Sequence, residues 1–172
     1  ENKDLIPCKD FAKELIVKNV PSVAIYLNQL DISKLENYTP ESAKERIILS
    51  QFLCACYTGA RHSDILAMTA ENIQGEYIIY VSKKTHKEAK IEAKKGLAEL
   101  LRVAQLSTYA DSTFNLCIRD ICKKAGINDK VRIYKAGKYM DGYKYDFVSS
   151  HTGRRSFASN LASLNVPIRE IS

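Results

Sequence analysis

No apolar run in the 172-residue sequence approaches the ~20 residues needed to span a bilayer. Its start, Glu1-Asn2-Lys3-Asp4, lacks the charged-then-apolar order of a secretory signal, so the expected setting is the cytosol and no membrane. Cysteine is scarce and odd in number, five in all, and the spacings are wrong for metal. Cys54 and Cys56 stand two apart in a helical apolar run and point to different sides; Cys117 and Cys122 are five apart and share no face either. Buried free thiols are the reading that fits. Internal repeats and low-complexity tracts are missing as well. Acidic residues nowhere gather as a two-metal nuclease requires, so no metal site of that kind is expected.

What is present is ordinary globular composition, 45% hydrophobic, with an uneven charge distribution. The formal net charge is +6, yet Lys123 to Arg155 alone carries nine basic and three acidic residues. Val81 to Lys95 adds six lysines against Glu88 and Glu92, which leaves the rest of the chain net acidic. Tyr134, Tyr139, Tyr143 and Tyr145 are interleaved in the larger basic segment. Clustering of this kind favours a polyanionic partner, although a solvated lysine-rich face would carry the same charge.

Periodicity divides the chain into elements. Val23 to Leu35 has Leu27 and Leu30 at helical spacing, and Tyr38-Thr39-Pro40 breaks it. Lys44 to Tyr57 is apolar around most of its circumference, the mark of a buried central helix, and Gly59 suits its left-handed cap. Ser63-Asp64 is expected to cap a short helix running to Met68. Glu76 to Ser82 alternates in β-branched and aromatic residues and pairs with Glu88 to Ala93 in a hairpin with lysines at its tip. Helices are expected over Lys95–Gln105 and Ser112–Ala125, and Ile127 to Asp146 reads as a basic loop or irregular hairpin. A last helix opens at Ser149 or Ser150 and runs to about Leu164. Together these predict a mostly α-helical domain with a small antiparallel β-sheet.

Three separated segments carry groups suited to phosphate chemistry. Arg61 follows the buried helix, with Asp64 three residues on to fix its guanidinium; an Arg–Asp pair that only staples a helix start would look the same. His151 and Arg154, three apart, share one helical face in the first turn, where backbone N–H groups also favour an anion. Imidazole moves a proton near neutral pH and guanidinium clamps two phosphate oxygens. The third segment is the hairpin tip, Lys83-Lys84-Thr85, where a lysine can enter a DNA groove and protonate a leaving oxygen.

In combination these segments resemble the tyrosine recombinase (phage integrase) family, in particular the integrases of bacterial mobile elements. The resemblance rests on Thr58-Gly59-x-Arg61-x-Ser63-Asp64, a hairpin lysine before threonine, and Ser150-His151-x-x-Arg154-Arg155-Ser156-Phe157-Ala158. It covers roughly Thr39 to the C-terminus and implies the catalytic-domain fold of that family. By resemblance Arg61, Lys84, His151 and Arg154 are the catalytic groups, Lys83 being the alternative hairpin lysine, and Asp64 supports Arg61. Lys83, Lys87 and Arg155 are then expected DNA contacts, and the implied partner is double-stranded DNA.

The family's reaction runs through a 3′-phosphotyrosine intermediate without ATP or metal. The whole protein is expected to act as a homotetramer on DNA at the bacterial nucleoid in the cytoplasm, and this chain to be a monomer. In the family the nucleophilic tyrosine follows the His-x-x-Arg helix, whereas this sequence stops at Ser172, 18 residues past Arg154, and none of its ten tyrosines stands in that position. The expected division is therefore a linker over 1–22 from a missing N-terminal core-binding domain, then a catalytic domain over 23–172 lacking its nucleophile segment. A type IB topoisomerase uses a similar set of groups, and a non-catalytic DNA-binding descendant would retain them. The integrase-like wording around Arg61 and Arg154 favours the recombinase.

Overall fold

Helix α2, Ala43–Thr58, organises the chain because nearly all of its circumference is buried. Ser42 begins it: the hydroxyl accepts from the Glu45 N–H at 3.1 Å, satisfying one of the orphan donors of the first turn. Gly59 ends it at φ +62°, a conformation that costs glycine nothing, and its N–H reaches the Ala55 carbonyl at 2.9 Å. This computed structural model describes residues 24–135 and 137–166, so the linker expected over 1–22 lies outside the described residues.

Two apolar clusters use opposite sides of α2. Ile48, Leu49, Phe52, Leu53 and Cys56 meet Phe114, Ile118 and Ile121 on one side, while Cys54 and Ala55 meet Ile65, Met68, Ile78, Leu97 and Leu101 on the other. Cys54 and Cys56 thus face different cores, as their spacing predicts, and burial pushes the Cys54 thiol up to about 12. Gln51, fully buried in the same helix, is satisfied because its Nε2 donates to the carbonyls of Ala104 at 2.8 Å and Ser107 at 2.9 Å.

The first helix is shorter than its apolar spacing suggests. Asn28 caps α1, Gln29–Glu36, by accepting from the Asp31 N–H, and the Asp31 carboxylate answers the Asn28 N–H. Leu27 consequently precedes the helix, buried, while Leu30 sits on its outer side and is 74% exposed. The Leu27–Leu30 pairing read from the sequence fails because the cap falls between the two residues. After α2 come the single-turn α3, His62–Ile65, and a three-stranded antiparallel sheet in the order β1-β2-β3, Ile73–Gln74, Tyr77–Val81 and Glu88–Glu92. The capping expected of Ser63-Asp64 is not formed, since Arg61 holds the cap position without a side-chain bond and Asp64 is buried.

Helices α4, Leu97–Ala104, and α5, Asp111–Lys124, follow where expected, each with one apolar stripe: Leu97, Leu101 and Ala104; Phe114, Ile118 and Ile121. The basic segment after Gly126 is a regular hairpin, β4 Lys130–Lys135 paired with β5 Lys138–Tyr143. Its inner face contributes Ile133 to the core; its outer face is stabilised by cross-strand pairs, Tyr134 edge-on to Tyr139 and Arg132 to Asp141 at 3.1 Å. The cross-strand pairing supplies the regularity that the mixed composition conceals. A 3-10 turn then leads into α6, Ser150–Ser163, which packs across α2. The whole is mostly α-helical with small antiparallel sheets, and among the described residues no helix is long and apolar enough to cross a membrane.

Candidate functional site

The site forms where three sequence-distant pieces meet: the turn after α2, the β2–β3 hairpin and the first half of α6. Arg61 donates from Nη1 to the Ser82 hydroxyl at 2.9 Å, and Ser82 in turn donates to the Asp64 carboxylate at 3.3 Å. Asp64 also accepts the Lys83 backbone N–H at 3.1 Å and lies 4.0 Å from the Arg61 guanidinium. One buried carboxylate therefore holds both the arginine and the base of the lysine turn. Ser82 closes that turn as well, its N–H reaching the Lys87 carbonyl at 2.9 Å and its carbonyl accepting from His86 at 2.8 Å. Replacing Ser82 by alanine should leave a buried Asp64 lone pair unmatched; the expected loss is about 1–3 kcal/mol of stability, read as a lower midpoint in urea unfolding.

Arg154 approaches from α6. Its Nη1 donates to the carbonyl of Gly59, the residue that ends α2, so the second guanidinium is tied to the turn that carries the first. Arg61 and Arg154 then share one open cleft of about 1080 Å³, with Tyr80, Ser82 and Lys87 on the sheet side and Phe157, Ala158 and Leu161 on the α6 side. Two guanidiniums on one concavity offer fork-like donors that can receive an anion.

The other expected residues are placed differently. Lys83 and Lys84 are exposed in the hairpin turn and do not line the cleft. His151 is exposed on the first turn of α6 and also stands outside the lining, although it shares a helix face with Arg154. Arg155 turns the other way and donates to the Ile25 carbonyl at 2.9 Å, tying α6 to the segment before α1. Sequence reasoning missed Ser82 and Tyr80. Both fall on alternate positions from the buried Ile78, Tyr80 within β2 and Ser82 just past its end, and the alternation by itself gives their polar groups no role.

His62, next to Arg61, is held rather than free. Its ring lies 4.5 Å from that of Phe114, and because the Gln51 amide nitrogen is engaged with two carbonyls, Gln51 Oε1 accepts from His62 Nε2 at 3.3 Å. Burial lowers the imidazole pKa; Asp111 opposes this and His151 adds to it, and the net shift is downward. With the folded value below the ordinary one near ~6.5, neutral His62 stabilises the fold above the unfolded pKa. That contribution disappears as pH falls through the folded value. Urea midpoints measured across mildly acidic pH should decline, and the decline should be shallower in His62→Gln.

These elements in this order define a tyrosine recombinase-like fold. Among solved structures the crystal structure of XerA recombinase matches with a TM-score of 0.57 and 20% identity, over 88% of this chain and 55% of that one. The likeness is one of fold, and the chain spans about half the length of that protein. No protein-family model and no curated protein sequence matches this chain.

Proposed function

We propose that this chain is the phosphate-activating part of a site-specific DNA recombinase that cleaves and rejoins strands through a 3′-phosphotyrosine. The observation that carries the reading is the convergence of Arg61 and Arg154 on one cleft from positions 93 residues apart, Arg61 held by Ser82 and Arg154 by the turn that ends α2. Attack on a phosphodiester builds negative charge on the phosphorus oxygens, and preorganised guanidiniums stabilise that charge most when water is excluded. A tyrosine oxygen supplied beyond Ser172 would form the new P–O bond while the bond to the 5′-oxygen breaks. Lys84 stands outside the cleft lining, and a closing of its turn onto the bound duplex would let it give the departing 5′-oxygen its proton. His151 would assist removal of the tyrosine proton or bind a phosphate oxygen. Attack by a 5′-hydroxyl reverses the bond changes and returns the tyrosine, so the phosphodiester energy is conserved and no nucleotide is consumed.

Double-stranded DNA is the partner in this reading, with Lys83 and Lys87 as backbone contacts; Arg155, engaged by Ile25, would contribute only if that bond opens. The 172-residue chain should bind duplex with an affinity that falls linearly on a logarithmic salt scale, by a slope of roughly −0.9 for each phosphate neutralised. A salt-independent affinity would contradict the proposed mode of binding. The decisive experiment uses the full-length natural protein and a nicked duplex that traps cleaved product. A covalent protein–DNA adduct, resistant to denaturation and resolved by added 5′-hydroxyl strand, is the expected result. Absence of any adduct would remove the recombinase reading.

A further inference from the structure

Tyr80 lines the cleft together with the two arginines, and nothing in the proposed chemistry so far uses it. It is the fourth residue of β2, and its ring belongs to the apolar cluster with Ile65, Met68, Ile78 and Leu97, leaving the residue only 8% exposed. A phenol held this deeply normally pairs its hydroxyl with a protein group. Among the described residues the Tyr80 hydroxyl has no hydrogen-bond partner, and no buried polar side-chain atom is stranded without contact to solvent, so the oxygen opens onto the cleft. Its charged surroundings are Arg154, Asp64 and Arg61.

We infer that the Tyr80 hydroxyl is a third donor of the anion site and bonds a non-bridging oxygen of the phosphate that Arg61 and Arg154 clamp. The inference rests on the recombinase reading for the identity of that phosphate, a DNA diester, but the donor geometry concerns any phosphate monoanion. Three considerations carry it. The hydroxyl lines the same concavity as both guanidiniums. A neutral O–H beside two cations has no acceptor to prefer among them, and Asp64, the nearby carboxylate, accepts from Ser82 and the Lys83 N–H rather than from the phenol. An incoming phosphate would therefore supply the acceptor that the described residues do not.

Burial holds the phenol pKa above its ordinary value; Arg154 lowers it, Asp64 raises it and Arg61 lowers it, the net shift being upward. The group thus stays protonated at neutral pH, which suits a donor and disfavours a nucleophile. The ring's place in the core also explains why the donor is rigid. Its hydroxyl cannot swing away without disturbing Ile78 and Leu97, so little ordering is lost when the phosphate arrives.

Tyr80→Phe keeps the ring and deletes the oxygen. In the full-length natural protein, adduct formation on the nicked duplex should slow by about 10²-fold, the scale of losing one preorganised donor at a developing oxyanion. On duplexes whose scissile phosphate is a methylphosphonate of defined configuration, the isomer lacking the contacted oxygen should be cleaved equally by wild type and Tyr80→Phe. Equal rates on the ordinary diester overturn the inference, and so does the same slowing on the diester and on both isomers, which would mean that Tyr80 only shapes the wall.

A second measurement uses the 172-residue chain itself with ring-labelled tyrosine, inorganic phosphate as the probe and Tyr80→Phe to identify the signal. Phosphate should shift the Tyr80 ring resonance of wild type, and Arg154→Ala should remove the response. A stationary Tyr80 signal overturns the inference even if the natural protein forms no adduct, so failure here is distinct from failure of the recombinase reading.

Discussion

Arg154→Ala in the natural protein is expected to reduce covalent adduct formation on a nicked duplex by roughly two to three orders of magnitude, with a much smaller change in duplex affinity. The asymmetry follows from what the side chain does. A guanidinium aimed at the phosphate stabilises charge that grows in the transition state, worth about 2.7–4 kcal/mol for a single donor of this kind, whereas the ground-state duplex offers many other phosphates to bind. Arg154→Lys should recover little, because an ammonium cannot reach the Gly59 carbonyl and two phosphate oxygens with one planar fork. Single-turnover rates on the trapped substrate separate these cases from weakened binding. Wild-type adduct formation in Arg154→Ala would remove this residue from the catalytic set.

The parts of the fold that were legible in the sequence are those fixed by local chemistry. Helix α2 could be read from its all-round apolar run and Gly59, and the β2–β3 hairpin from its alternation, because each of these signals acts within a few residues. The β4–β5 hairpin could not be read with the same clarity. Its tyrosines and cations alternate without a clean apolar face, and the cross-strand pairs that organise it join residues the pattern does not link, such as Arg132 to Asp141. Leu30 misled for the opposite reason: its spacing is helical, but the Asn28 cap begins the helix after Leu27 and turns Leu30 to solvent.

The candidate site shows the same division. Arg61 and Arg154 could be named because their residue types and neighbours carry a chemical reading on their own, and the fold brings both to one cleft. Asp64 was expected to fix the Arg61 guanidinium, and it stands 4.0 Å away with Ser82 between them. That bridge spans 18 residues from Asp64 to Ser82, so no spacing rule within a helix or strand could supply it. Tyr80 is hidden by its own ring, which satisfies the strand pattern whether or not the hydroxyl has a role. The exposed positions of Lys84 and His151 are likewise products of tertiary placement, for which a single sequence has no signal.

Gly153, between His151 and Arg154, is where motif and packing coincide, and Gly153→Ala is expected to destabilise the fold by about 2 kcal/mol. Local propensity argues in the opposite direction: an interior helical glycine replaced by alanine should gain about 1 kcal/mol. Packing decides the sign. A Cβ at this position would stand 2.7 Å from the Ala55 Cβ and 3.2 Å from the Phe52 carbonyl oxygen, both on α2, and neither atom is the end of a flexible side chain. The two helices must move apart, and the displacement falls on the turn that bears Arg154, so the anchor to Gly59 loosens with it. The prediction is a lower urea midpoint together with weaker retention of the arginine, seen as slower adduct formation in the natural protein. Gly75→Ala is the useful contrast, since a Cβ there meets nothing within 4 Å and only the cost of φ +63° remains. A Gly153→Ala chain as stable as wild type would show that α6 does not pack on α2 as closely as the site requires.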